Sequence, residues 1–366
     1  MRITDKTTAN NAIYNINEGR IKLDRLNEAV SSGRTVNRPS DDPVNTKKIL
    51  EFESQIKASN QYISNIKTGQ TWLQLAGTSL EGLLSSTMSI KGIAGQAVSA
   101  INDPIKKADM LNQLKGFRDQ LTDYPNVRIG DQYVFSGFNS NRAPFAPTTL
   151  SGISTTAGIP DITNIDTTNL HVGMPITGPD IPPNSIITAI PAPGTAGTIT
   201  LSNAAMNTNA AGTLTFSGMF NGTEDTISME INKGVQVPIS VSGGSVLRGG
   251  TPPGSTGVDI IKTLDTLIAD ITSGNTAGLQ AANIALEAGN QQILGAISDV
   301  GLRKARLDNA QTSQQRNLNV LTQLHDNIVN VDYAKAAIEL TNQKTAFEAA
   351  LAATAKITPI SLLNYL

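Results

Sequence analysis

The sequence predicts an α+β protein: an elongated, antiparallel coiled-coil helical bundle built from both termini, with a β-rich domain inserted in the middle. Three observations carry this reading. Apolar residues on both flanks recur at steps of three, four or seven, which places them on one narrow helical stripe. The stretch from about Val127 to Thr256 is instead rich in Thr, Gly, Pro, Ser and Ile, with no Lys or Arg between Arg142 and Lys233. Aromatic residues are only 4% of the 366 positions, which suits seams of Ala, Leu and Ile better than a bulky globular centre.

The first predicted helix carries Ile13, Ile16, Leu23, Leu26 and Val30 and stops at Gly33, after Ser31 and Ser32. A loop from Asn37 to Pro43 follows, in which Asp42 caps the next helix and Pro43 occupies its first turn, where no N–H is needed. The second helix keeps a long seam through Ile49, Phe52, Ile56, Ile63, Ile66, Leu73, Leu80 and Leu84. Asp103-Pro104 repeats the capping signal for a third helix with Leu111, Leu114, Leu121 and Tyr124. Toward the C-terminus, Leu286, Ile293, Ile297, Val300, Leu307, Leu318, Leu321 and Ile328 share one heptad register. A last helix carries Tyr333, Ala337, Leu340, Phe347 and Leu351. Thr358-Pro359 is expected to break it before the apolar tail Ile360–Leu366.

Long narrow seams at both ends are best satisfied by antiparallel packing of the N- and C-terminal helices, and whatever remains exposed must meet a neighbour. The expected assembly interface is therefore Ile13, Ile16, Leu23 and Leu26 against Leu340, Phe347 and Leu351, with Leu362 and Leu363 in the tail.

Composition excludes much else. A formal net charge of −2 gives no bulk attraction for nucleic acid or an anionic membrane, so neither is expected as a partner. The chain has no cysteine, hence no disulfide, thiolate metal site or cysteine nucleophile. Residues 1–11 lack the charged head and apolar run of a signal peptide, and no window reaches the roughly 18 apolar residues of a membrane span. Export, where it occurs, is expected to use a route other than a cleaved leader.

Candidate chemistry is sparse, and no enzyme, metal or cofactor is expected. His325 falls on the C-terminal seam and reads as a packing residue, whereas His171, among Thr, Asn and Val, reads as a surface residue. Asp41-Asp42 reads as a helix cap and Glu224-Asp225 as a turn before a strand. Arg303, Lys304 and Arg306, interleaved with Asp299 and Asp308, read as a solvated helix face, and Asn221-Gly222-Thr223 is a chance-level glycosylation triplet. Phosphate-binding glycine loops and Gly-x-Ser-x-Gly elbows are absent.

Four stretches, in order, resemble the bacterial flagellar hook–filament junction proteins (hook-associated proteins of the third type), relatives of flagellin. They are the loop Ser31–Pro43, the segment Tyr133–Phe138 with Ala143–Phe145, the segment Asp299–Asp308, and the end Asn330–Leu351 with Ser361–Leu366. The resemblance implies a terminal helical assembly domain (1–40 and 325–366), a helical rod domain (41–130 and 258–324) and a β-rich outer domain (131–257). Residues of about 147–217 exceed the family's needs and are expected to form an extra β module. It further implies a structural role at the bacterial flagellum as an adaptor joining another hook-associated protein to flagellin. Neighbouring copies in a ring, that hook-associated protein, flagellin and a flagellar export chaperone are the expected partners. The implied location is extracellular, after type III export. A filament-forming flagellin and a surface adhesin presenting the β module are the alternative readings.

Overall fold

The computed structural model describes the backbone of residues 5–100, 102–250 and 252–363, and the side chains of residues 7, 10–99, 102–250 and 252–355. It is an α+β chain in which helices precede and follow a β-rich middle along the sequence. Three helices come first: α1 (Asp5–Ser32), α2 (Pro43–Ala100) and α3 (Pro104–Asp123). Two short strands, β1 (Arg128–Ile129) and β2 (Gln132–Tyr133), form a tight hairpin. Six strands follow: β3 (Thr148–Thr155), β4 (Asp161–Ile165), β5 (Pro175–Thr177), β6 (Ser185–Ala192), β7 (Gly197–Leu201) and β8 (Asn209–Phe216). A second hairpin, β9 (Ser228–Asn232) and β10 (Val235–Pro238), leads to α4 (Ile260–Ser273), α5 (Thr276–Val329) and α6 (Tyr333–Leu363).

The chain divides into two units, residues 1–61 with 313–366, and residues 62–312. Within the second unit, α2 buries Ile66, Leu73, Ala76, Leu80, Leu83, Ile90 and Ala97, and α5 buries Leu279, Leu286, Ile293, Val300 and Leu307. These recur at helical spacing, so each helix presents a continuous apolar face along its length. The two helices run antiparallel, since Gln70 Nε2 donates to Asp308 Oδ1 (2.7 Å) whereas Lys91, further along α2, pairs with Glu287, earlier in α5. A fully buried Leu or Ile contributes roughly 1.5–3 kcal/mol. The β9–β10 hairpin closes on the same core through Ile231, Val237 and Ile239.

Helix starts follow the local chemistry. Asp42 Oδ1 accepts the amide of Asn45 at 2.9 Å and Pro43 opens α2. Asp103 accepts the amides of Ile105 and Lys106 and caps α3, while Asp259 caps α4 through Lys262 N at 2.9 Å. One stop differs from expectation. The backbone of α6 stays helical through Pro359 to Leu363, because a proline removes a single backbone donor and the flanking turns keep theirs.

Strands β3–β8 form one antiparallel sheet in the order β3-β8-β5-β6-β7-β4. It has its own apolar cluster, including Ile162, Ile176, Ile187, Ile199, Leu214 and Phe216, separate from the helical core. Register shifts in β3, β4 and β6 bend these strands around that cluster.

Candidate functional site

The site predicted at the termini belongs to the first unit. Along α1, Ala12, Ile16, Gly19, Leu23, Leu26 and Val30 are half-buried, at steps of three and four residues. Along α6, Ala336 is buried and Leu340, Gln343, Phe347, Ala350 and Thr354 are half-buried at the same spacing. The two stripes face each other antiparallel. Gln343 Nε2 donates to the carbonyl of Gly19 (3.3 Å), and the Phe347 ring lies where a Cβ on Gly19 would come within 3.2 Å of Cδ2. At the other end, Gly33 has φ +72° and lies beneath the Tyr333 hydroxyl, 2.7 Å from where its Cβ would be. Only glycine accepts both the left-handed backbone and that close approach without strain.

The two interhelical connections are also joined. Thr35 N donates to Val329 O (2.7 Å), Val331 N to Gly33 O (3.1 Å) and Thr35 Oγ1 to Asn330 O (3.2 Å). These bonds make a short antiparallel bridge at Arg34 and Asn330, where α1 gives way to α2 and α5 to α6. Further along the same two helices, Ser59 Oγ donates to Gln314 Oε1 at 3.3 Å, a buried polar pair that α2 and α5 share.

Of the predicted interface residues, Ile16, Leu23, Leu26, Leu340 and Phe347 lie on this seam. Ile13 and Leu351 do not: they are 55% and 43% exposed and stand one residue out of phase with Ala12 and Ala350. Leu362 and Leu363 lie outside the residues whose side chains are described. Gly19 and Gln343 were missed, because a glycine and an amide at helix contacts leave no apolar periodicity to read; Tyr333 was placed on the last helix, but its approach to Gly33 was not foreseen. Tyr14, Ile21, Leu50, Val320 and Ile338 remain exposed on the unit's helices, so its apolar surface is not consumed by the α1–α6 pairing.

The polar candidates resolve as follows. His171 is buried, not on the surface as expected: its Nε2 lies 2.9 Å from Asp265 Oδ2, because the β module folds this segment onto α4. His325 is half-buried on α5, with Nδ1 3.2 Å from Asp326 Oδ1 and Nε2 3.7 Å from Glu53. Arg303 is not merely solvated: Nη1 donates to Ser240 O (2.9 Å) and Nη2 pairs with Asp299 (2.5 Å). Lys304 likewise reaches Gln74 of α2. Asn221 is half-buried, with its amide nitrogen donating to Ala146 O (3.0 Å) and its oxygen accepting from Thr148 Oγ1 (2.8 Å). That geometry leaves the formal glycosylation triplet with an engaged acceptor nitrogen.

Among the described residues, no group of three or more His, Asp or Glu is placed to hold a metal, and no helix is long and apolar enough to cross a membrane. Two carboxylates titrate below their ordinary range. Asp166 does so chiefly because it accepts from the Thr168 hydroxyl, and Glu287 because it accepts from Lys91. Both are exposed and each has an adjacent donor, so neither is tuned toward acid–base work.

Paired terminal helices, with a β-rich stretch between them in the sequence, define a class, the flagellin-like proteins, and the chain belongs to it. Residues 3–140 match the bacterial flagellin N-terminal helical region and residues 284–366 the bacterial flagellin C-terminal helical region, together more than half of the chain. Within that class it is similar to flagellar hook-associated protein 3 of Salmonella typhimurium, 28% identical over 149 residues, which are 40% of this chain and 46% of that protein. Flagellar hook-associated protein 3 of Escherichia coli is 29% identical over 126 residues, 33% of this chain and 39% of that protein. The matched part thus spans about half, or less, of these curated relatives (46% and 39%). A solved structure of a putative flagellar hook-associated protein from Vibrio parahaemolyticus has the same fold. Its TM-score is 0.53 at 19% identity, over 79% of this chain and all of that one.

Proposed function

We propose that this chain is a structural subunit of the bacterial flagellum that works at the hook–filament junction, joining a hook-associated protein to flagellin. The observation that carries the reading is the α1–α6 seam, which brings together the two chain ends matched by the flagellin helical regions. Apolar residues left over around that seam, such as Tyr14, Ile21 and Ile338, favour neighbouring copies and the adjoining flagellar proteins as what covers them. In this reading the terminal helices (1–40 and 325–366) form the assembly domain, and Ile13, Leu351, Leu362 and Leu363 contribute through contact with neighbours. Residues 41–130 and 258–324 are the rod and 131–257 the outer domain. Placement outside the cell after type III export, with a chaperone on the C-terminal helices beforehand, belongs to the same proposal. The role is structural and not catalytic.

The test is sedimentation of the purified full-length chain, alone and after addition of filament fragments. A chain that stays soluble by itself, yet is required for filaments to attach to hooks, supports the junction role. Growth into long filaments by itself overturns it in favour of a filament-forming flagellin.

A further inference from the structure

We propose that the six-stranded module is mounted on helices α3 and α4 by a buried ionic latch that holds it at one fixed angle, so that it is a rigid projection and not a tethered bead. The inference does not depend on the junction role. Its centre is Asp265 of α4, whose side chain is 1% exposed. Arg118 of α3 donates to both carboxylate oxygens, Nε to Oδ1 at 2.7 Å and Nη2 to Oδ2 at 3.2 Å, and Nη2 also donates to the carbonyl of Ser217 at 3.0 Å. His171, between β4 and β5, adds Nε2 to Oδ2 at 2.9 Å. With the carboxylate only accepting, His171 Nε2 carries the proton. Its buried Nδ1 has no hydrogen-bond partner among the described residues.

A second buried arginine repeats the device. Arg248, 1% exposed, donates from Nε to Asp259 Oδ2 (2.8 Å), from Nη1 to Gly218 O (2.6 Å) and from Nη2 to Asn169 O (3.3 Å). Asp259 is at the same time the cap of α4. Both arginines therefore tie α4 to the chain leaving the module at Ser217–Gly218, and Asn169 and His171 tie in its inner loop. The chain entering the module is held separately, by Asn221 on Pro144, Ala146 and Thr148.

Buried ion pairs cost desolvation, and apolar groups of equal volume would hold the two parts at least as strongly. What an apolar contact does not supply is direction. Two planar guanidinium forks, each bonded to a carboxylate of α4 or of its cap and to a carbonyl of the chain leaving the module (Ser217 or Gly218), admit one orientation. A glycine in the left-handed region, Gly173 (φ +91°), lets the loop lie directly on the backbone of Asp265, where a Cβ would be 2.8 Å away.

The chain's lack of cysteine makes the test direct. Spin labels on Thr163→Cys in β4 and Gln280→Cys in α5, both exposed positions, report the distance between the module and the helices in the full-length protein. A single narrow distance distribution is expected, with loss of that single distance in Asp265→Asn and in the milder His171→Gln. Hydrogen exchange in the same variants should rise roughly tenfold or more at residues 169–174. Retained protection of β6 and β7 would establish that the module itself stays folded. A distribution already broad in the unaltered latch, or one that stays narrow in both variants, overturns the proposal.

Discussion

Replacing Phe347 by Asp should separate the α1–α6 seam without disturbing residues 62–312. A buried aromatic side chain covers about 150–250 Å². Phe347 is half-buried, so about 100 Å² is lost, worth about 2.5 kcal/mol at about 25 cal/mol per Å². That corresponds to a roughly 70-fold shift toward the separated helices before any cost of placing a carboxylate against the Gly19 backbone. The assay is hydrogen exchange of the free chain, read separately for α1 with α6 and for α4 with β6, alongside pelleting with filament fragments. Amides of α1 and α6 should lose protection by about that factor, those of α4 and β6 should keep theirs, and incorporation should fail. Unchanged exchange in α1 and α6 would refute the reasoning, and so would an equal loss of protection in α4.

Other perturbations test smaller parts. Gly33→Ala must adopt φ +72° and move the Tyr333 ring, so it should cost about 1–2 kcal/mol, measured as a shift in the denaturant midpoint of the terminal unit. Asp42→Ala removes the cap on Asn45 N and should cost about 1 kcal/mol, with Asp42→Asn costing much less in the same titration. Glu287 ionises below its ordinary range because Lys91 donates to it, so its folded pKa is depressed relative to the unfolded chain. Its contribution to stability is present above the unfolded value and disappears as pH falls through the folded one. Glu287→Gln should flatten the acid limb of a stability–pH curve. High salt should shrink the difference between the two proteins, because the pair is exposed and screened.

The helical seams were legible because a helix's buried stripe is written in spacing alone: Ile63, Ile66, Leu73 and Leu80 are buried as the pattern requires. Caps at Asp42 and Asp103 were legible for the same local reason. Ile13 and Leu351 were drawn into the seam because a short apolar run allows two adjacent registers, and only packing against Gly19 and Gln343 selects one. The burial of His171 lay beyond reach, since its partner Asp265 is 94 residues away and neither neighbourhood carries a recognisable pattern. Arg118 and Arg248 were invisible in the same way. An arginine bonded to two backbone carbonyls or to a distant aspartate has no signature in its own stretch of sequence.

The pairing of α1 with α6 also sets an order of events during synthesis. Gly19 and Gln343, which meet across the seam, are 324 residues apart in the chain. At about 5–20 residues per second, the first helix leaves the ribosome roughly 16–65 s before the last one exists. For that interval Ile16, Leu23 and Leu26 have no α6 to cover them, whereas the six-stranded module draws its apolar cluster from residues 153–216 alone. A helix made early thus meets its partner only after a long stretch of further synthesis, and until then its apolar stripe stays uncovered.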